Sequence, residues 1–380
     1  MKKQVIILLL FSIQLSAQNK DPNPHFPKLK ISVPCTEDFI NKYKGKWLIP
    51  KLNTTVNDFQ GEVKKRLNQI HSLVQQIYPQ PTGCDAFWTA GCEKKSFAGE
   101  VKYVLDGTDL KQQTVKENPV YSWTYMLALF SWVCHGTNEI MNGYPEIGGA
   151  SIVIHTNSLD ILPEDFLDGD EWRIDGRPIK KKMPKIGKWK GYDMLATNGG
   201  IYASQNDEYY VLISRDGMLP YIPITRKQYL DRAVQYITRL YDGLNKRIRE
   251  SSEALPAQVR ASKEEIDNQT TLNTKLKNDG LKKLNDESEK TAKDGLLESP
   301  AVIRIDPLFT TEGPIFQSEE QGGTMLVTEN PVYFRKDLPK YVPQFFVFSM
   351  SADANGWSKD FKKIVEENFQ IEKLQAMIDK

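Results

Sequence analysis

Val120-Tyr121-Ser122-Trp123-Thr124-Tyr125-Met126-Leu127-Ala128-Leu129-Phe130-Ser131-Trp132-Val133 is aromatic and apolar throughout and contains no Gly, Pro, Asp or Asn. Val, Tyr, Trp, Thr and Phe suit a pleated, half-buried backbone, so the stretch reads as one long buried strand. Its surroundings agree. Ser151 to His155 alternates in residue type after Gly148-Gly149. Trp172 to Ile179 folds around Asp175-Gly176, Tyr209 to Ser214 runs into Asp216-Gly217, and Asn198-Gly199-Gly200 marks another reversal. Strands and turn signals alternating from Ser96 to Thr225 predict an antiparallel sheet rather than a wound parallel one.

The apolar period changes on either side. Phe59, Val63, Leu67, Ile70, Val74 and Ile77 recur at helical steps between Asn57 and Ile77, and Pro79 stops them. Thr36 is placed to cap a shorter helix through Tyr43. Lys227 to Leu297 carries one clean stripe (Leu230, Val234, Ile237, Leu240, Tyr241, Leu244, Ile248) and one sparser stripe (Leu255, Val259, Ile266, Leu272, Leu276, Leu281, Leu284). Pro256 stands between them, so two helices folded into a hairpin are expected. Strand signals return at Ala301–Ile305, Thr324–Val327 and Gln344–Met350, and an amphipathic helix from Phe361 to Ile378 closes the chain.

The expected fold is α+β: a mainly antiparallel sheet with N- and C-terminal helices and an inserted helical hairpin. Residues 36–226 and 299–380 form its body and 227–298 the insertion. The alternative makes the hairpin a linker between two domains, but the last strands are too few to build a core alone. Glu117-Asn118-Pro119-Val120-Tyr121 recurs as Glu329-Asn330-Pro331-Val332-Tyr333. The flanks do not align, so common Asn-Pro turn chemistry explains the repeat better than a duplication.

Met1 to Gln18 reads as an export signal: Lys2 and Lys3, an apolar run from Val5 to Ile13 broken only by Ser12, then Leu15-Ser16-Ala17. Cleavage is expected near Ala17/Gln18, with a mature chain in the periplasm or outside a bacterial cell. Residues 19–35, rich in proline, are expected to form a mobile leader. No later apolar stretch reaches the ~20 residues a membrane helix needs. Losing Lys2 and Lys3 takes the 50 basic residues to 48, against 49 acidic ones, a net of about −1. That balance leaves no electrostatic footprint for nucleic acid. The shares of hydrophobic (40%) and charged (26%) residues are those of an ordinary folded domain.

The mature chain holds four cysteines, Cys35, Cys84, Cys92 and Cys134, and export makes disulfides the first reading. Cys84 and Cys92 bracket a short, mostly polar segment, which favours Cys84–Cys92 and leaves Cys35–Cys134. No C-x-x-C spacing accompanies Cys134-His135, and no cofactor or metal motif is present.

Few residues suggest chemistry. Glu164, Asp165, Asp168, Asp170 and Glu171 crowd one segment but lack calcium-loop spacing, so a solvated loop is expected. His155 is the best lone candidate for proton transfer. It shares a strand face with Ser151 at a separation too large for a nucleophile–base pair, and Gly148-Gly149-Ala150-Ser151 is not a nucleophile elbow. Trp47, Trp88, Trp189 and Trp357 sit near predicted loops, where rings could stack on sugars, although aromatics usually serve the core. In Leu219-Pro220-Tyr221-Ile222-Pro223-Ile224-Thr225-Arg226-Lys227-Gln228-Tyr229-Leu230, Thr225 caps the long helix while Arg226 and Lys227 oppose its dipole. They read first as members of surface ion pairs, with a bound anion as alternative. Arg226, Lys227, Trp189 and Tyr221 are thus the candidate binding surface.

With Gly187-Lys188-Trp189-Lys190-Gly191-Tyr192-Asp193 before it and Phe361 to Ile378 after it, this segment resembles uncharacterised exported bacterial proteins that end in a similar helix. The resemblance spans much of residues 36–380. It implies that sheet and helices recur as one unit and implies no activity. The leading expectation is an exported, non-catalytic envelope protein that binds a protein or polysaccharide partner without a cofactor. The rival is a periplasmic or secreted hydrolase of glycan or peptide, with Glu146 or Asp160 beside His155.

Overall fold

The computed structural model describes residues 28–48, 51–52, 61–93, 101–106, 109–114, 120–142, 149–158, 164–167, 172–196, 206–215, 218–254, 260–304, 313–353 and 356–380. The signal segment, Glu146, Asp160, Asp168, Asp170, Glu171, Leu255 and Val259 lie outside them.

A ten-stranded sheet forms the centre of the molecule. Its strands are β1 (Lys28–Lys30), β2 (Lys51–Leu52), β3 (Cys84–Glu93), β6 (Ser122–Cys134), β7 (Glu139–Asn142), β8 (Ala150–Thr156), β13 (Lys185–Trp189), β14 (Tyr192–Leu195), β15 (Asn206–Ile213) and β19 (Phe346–Asp353). The order runs β1-β7-β6-β8-β19-β15-β14-β13, with β3 also on β6 and β2 on β3. Every pairing is antiparallel except β2–β3. β4 (Val101–Asp106) and β5 (Asp109–Thr114) form a separate hairpin. The long central strand expected from Val120–Val133 is β6, and its neighbours pair with it almost end to end.

One face of this sheet is the main core. Trp123, Tyr125, Leu127 and Leu129 of β6 turn towards it, together with Ala86 and Trp88, Ile152 and Ile154, Phe346 and Phe348, and Tyr209 and Val211. Strict alternation along each strand puts these side chains on one side. Three helices cover them: α2 (Glu62–Ile77), α5 (Gly356–Asn368) and α6 (Ile371–Gln375), through Val63, Leu67, Ile70, Val74, Phe361, Val365 and Leu374. Each such large side chain contributes about 1.5–3 kcal/mol by leaving water. α1 (Glu37–Lys42) is capped by Thr36 as expected, its Oγ1 accepting from Phe39 N–H at 3.1 Å.

A second sheet has the order β16-β18-β12-β9, with β17 also on β18. Its strands are β9 (Glu164–Asp165), β12 (Lys180–Lys181), β16 (Tyr221–Pro223), β17 (Val302–Ile303) and β18 (Thr324–Glu329), while β10 (Arg173–Ile174) and β11 (Arg177–Pro178) form the hairpin predicted at Asp175-Gly176. Asp175 and Gly176 both have positive φ, 50° and 79°, as that tight turn requires. The late strands therefore divide: β17 and β18 build the second sheet, and β19 enters the middle of the first. Val327, Tyr221 and Met183 of the second sheet region pack with Val347, Tyr210 and Leu195 of the first.

The hairpin is α3 (Arg226–Ala254) and α4 (Lys263–Lys293). Thr225 and Gln228 cap α3 reciprocally, at 3.1 and 2.9 Å, and Ser262 with Glu265 forms a capping box on α4. The root of the hairpin buries Tyr229, Leu230, Ala233, Ile237 and Leu284 against Trp172, Ile179, Ile303 and Leu326.

The sheets and the C-terminal end meet at a buried polar junction. Asn157, fully buried with φ 55°, donates from Nδ2 to Val342 O (2.9 Å) and Tyr121 O (3.2 Å) and accepts at Oδ1 from Gln344 N–H (2.7 Å). Gln344 Oε1 accepts from Arg335 N–H and from the Arg215 guanidinium, which lies over the Tyr333 ring and pairs with Asp379 at 3.4 Å.

Two expectations need correction. Cys35–Cys134 is formed (Cα–Cα 5.6 Å), but Cys84 is free and buried. Cys84 and Cys92 lie eight residues apart along β3, about 26 Å at the rise of an extended strand, so no bond can join them. The leader predicted over 19–35 is structured from Lys28 on, where β1 pairs with β7 and Ile31 N–H donates to Asn138 O. The repeated pentapeptide, read as shared turn chemistry, indeed sits in different surroundings at its two places. Val120 is fully buried whereas Val332 is 77% exposed, and Tyr333 is fully buried whereas Tyr121 is half-buried.

Candidate functional site

Arg226, Lys227, Trp189 and Tyr221 do not form one surface. Trp189 is buried on Phe348 and Phe369, its Nε1 donating to Glu366 O at 2.8 Å. Tyr221 is buried between the sheets, and burial, helped by the charge of Asp193, pushes its phenol up to about 12. Arg226 lies 4.8 Å above the Phe316 ring, and Lys227 pairs with Asp231 at 3.0 Å one turn along α3. The cations that oppose the helix dipole are thus balanced locally. Trp88 and Trp357 are also buried and Trp47 is half-buried, because flat aromatic area is most stabilising inside. Ring position near a turn gave no signal of this.

Two surfaces remain. The first is the outer half of the hairpin. Beyond Ile237 and Leu284, only Tyr241 and Leu281 among the described residues pack partly against the second-sheet core. Further out the helices join through polar pairs, Asp242 with Lys277 at 2.8 Å and Asn245 with Asn273 at 2.9 Å. Leu272 and Leu276, one turn apart on α4, are 49% and 42% exposed. The sparser stripe read in the sequence is therefore buried at its root and open to solvent outside it.

The second is the outer face of the main sheet. In register across the strands lie Gly91, Thr124, His155 and Val347, then Thr89, Met126, Val153 and Ser349, then Phe87, Ala128, Ser151 and Ser351. Most of these side chains are half-buried, and none carries a formal charge apart from what His155 can acquire. His155 Nδ1 lies 3.1 Å from Thr124 Oγ1. Ser151 stands on the same face about 13 Å along the strand, so it is no partner for that imidazole.

Titratable groups gather elsewhere, where residues Lys44–Leu48 and β2 run along the edge of β3. Leu48 N–H donates to Ala86 O (2.8 Å), and Ala86 N–H donates to Lys46 O (2.9 Å). Asp85, 3% exposed, accepts from Lys46 N–H (2.9 Å) and Trp132 Nε1–H (3.3 Å) at one oxygen and from Asn142 Nδ2–H (3.2 Å) at the other. Burial raises its carboxyl above the usual range, against the lowering pull of these donors. Gly45 is required for this approach, since a Cβ there would sit 1.7 Å from Cys84 O. His71 of α2 stacks on Trp88 (4.7 Å, 20°) and meets Trp47 edge-on (5.1 Å), with Nδ1 3.2 Å from Tyr125 OH. Sequence spacing could not reveal this cluster, because its four rings come from four separate segments.

Asp85 gives a direct test. Asp85→Ala should lower stability by about 3 kcal/mol, because it leaves buried donors unbonded. Asp85→Asn should cost about 1 kcal/mol or less. Its retained oxygen can accept from Lys46 and Trp132, and once the Asn142 amide turns over, its new amide can donate to Asn142 Oδ1, which has no partner among the described residues. Urea unfolding of both variants reads the difference, and equal losses would refute this account of the contacts.

Among the described residues no helix is long and apolar enough to cross a membrane. No family model, curated protein or solved structure matches the chain.

Proposed function

We propose that the protein is an exported, non-catalytic protein of the bacterial envelope that binds a protein or polymer partner, and that the outer half of the α3–α4 hairpin is its contact surface. The observation that supports this is the exposure of Leu272 and Leu276 beyond the point where the second sheet stops covering the hairpin. Two leucines at one-turn spacing offer the anchor pattern that a helix face presents to a groove or a facing helix. Export rests on the Met1–Gln18 signal and agrees with the Cys35–Cys134 disulfide.

The test is in-cell crosslinking of the full chain, comparing wild type with the double variant Leu272→Asp, Leu276→Asp. Both positions are open to solvent, so helix content should be unchanged. Burying one leucine is worth about 1.5–3 kcal/mol, so capture of a specific partner should fall at least about tenfold. Equal capture by both proteins would remove the hairpin from the reading.

A second reading, a hydrolase of glycan or peptide, draws on the His155–Thr124 pair on the half-open sheet face. Its check is hydrolysis of glycan and peptide panels by wild type but not by His155→Ala.

A further inference from the structure

The segment Lys44–Leu48, with β2 after it, is a strap over the edge of β3. Its two ends are anchored independently: the Cys35–Cys134 disulfide holds the chain before it, and α2 packs into the core after it. Among the described residues it is held to β3 by the backbone bonds to Ala86, a bridge between Trp47 and Ala86, the β2–β3 pairing and the Asp85 contact with Lys46 N–H, and to the residues before β3 by Gly45 N–H on Pro81 O (3.0 Å), Gln80 Nε2–H on Gly45 O (2.6 Å) and a bridge between Lys44 and Thr82. Trp47 is its main apolar contact, donating from Nε1 to Tyr78 O at 3.3 Å and resting its ring against His71. Such an element can open locally without the fold being lost.

We propose that this strap is an acid-responsive cover on the edge of the main sheet, with His71 as its trigger. The imidazole lies between Trp47 of the strap and Trp88 of β3, so any change in His71 acts on the two surfaces the strap joins. Among the described residues the groups that face it are Trp47 from the strap, Trp88 from β3 and Tyr125 from β6. Of these only Tyr125 titrates, and burial holds its phenol above the usual tyrosine range, so it stays neutral as His71 changes charge. In the neutral imidazole Nδ1 can accept the Tyr125 hydroxyl proton. Protonation converts Nδ1 to a donor and removes that acceptor.

The direction of the effect follows. Burial lowers the His71 pKa in the closed state. Opening returns the ring to water, where it titrates near 6.5. Below that pH the open form binds the proton more readily, so opening rises as pH falls from about 6.5 and levels off below the closed-state pKa. Asp85 works the other way. Its carboxyl is raised in the closed state, so protonating it favours closure. Through His71 the strap should loosen as pH falls below about 6.5, opposed by the Asp85 contribution. What it uncovers is the outer edge of β3, a row of backbone groups able to pair with another strand.

Hydrogen exchange of the full chain, corrected for the intrinsic pH dependence of exchange, reads this between pH 7.5 and 5. Protection of residues 44–48 and 51–52 should fall severalfold while that of β6 and β8 is retained. His71→Phe, which keeps a stacked ring but cannot titrate, should abolish the change. An unchanged strap in wild type, or the same loss in His71→Phe, would overturn the proposal. If the phenylalanine variant does not fold, the wild-type protein still decides the matter. The His71 imidazole titration followed by NMR must share its midpoint with strap opening, and separated midpoints would refute the coupling.

Discussion

Asn157→Ala is expected to lower stability by about 4 kcal/mol, among the largest single losses available outside the apolar core. The residue is fully buried, and its amide joins three chain segments that are remote in sequence. Truncation strands the Val342 carbonyl and the Gln344 N–H where water does not reach, and each such group costs about 1–3 kcal/mol. Gln344 has no exposure at all, and its side chain positions Arg335 and Arg215, so the loss should spread through the junction. Asn157 also holds φ at 55°, which a non-glycine residue adopts at a cost of roughly 1–2 kcal/mol. Asn157→Gly should therefore be the milder change by about that amount, although it loses the same bonds. Urea unfolding of both variants checks the pair. A wild-type midpoint for Asn157→Ala would mean the junction contributes little.

Removing the Cys35–Cys134 bond by Cys35→Ser with Cys134→Ser should cost about 4–5 kcal/mol in the chain-entropy account. The bond closes a loop with a sequence separation of 99, so its loss restores much freedom to the unfolded chain. It also frees β1, whose three residues hold to β7 only at the sheet margin. Cys84 does not complicate the test. Burial, before any other influence, pushes its thiol up to about 12, so it offers almost no thiolate for exchange in the folded state. Reductant should shift the unfolding midpoint of wild type and leave the double variant unmoved. A wild-type midpoint indifferent to reductant would count against the constraint.

Much of the fold was legible because its determinants are local. The aromatic and apolar run of Val120–Val133, the helical period along Asn57–Ile77 and the Asp-Gly turn at 175–176 each lie within one short segment. The helical hairpin was legible too, through Pro256 between two stripes. Cys84–Glu93 misled because Asp85 and the flanking glycines suggest a loop. In fact Cys84, Ala86, Trp88 and Ala90 alternate inward, and Asp85 is tolerated because three donors meet it. The division of the late strands between two sheets had no local signature.

The sites were less legible for the same reason. Asn157 finds its partners near residues 121 and 344, and His71 meets rings from residues 47, 88 and 125. No spacing rule connects such positions. Trp189 was chosen for standing beside a loop and Tyr221 for lying in the segment that leads into the long helix, and both went inside because burying their rings stabilises more than exposing them. Leu272 and Leu276 behaved oppositely: they fit a helical stripe, yet the sheet ends before it reaches them.

The place of β19 has a consequence for the order in which the chain can assemble. It lies between β8 and β15, pairing with Ser151–Thr156 on one side and with Asn206–Ile213 on the other. Until residues 346–353 have arrived, those two strands present unpaired edges and the sheet stands as two separate pieces. A chain emerging with its N-terminus first thus holds most of its length incomplete until almost the last segment appears, then closes both gaps with a single strand. Pairings this distant in sequence are slow to form. The interval before closure is when the protein is most exposed to proteases and to pairing with a neighbouring copy.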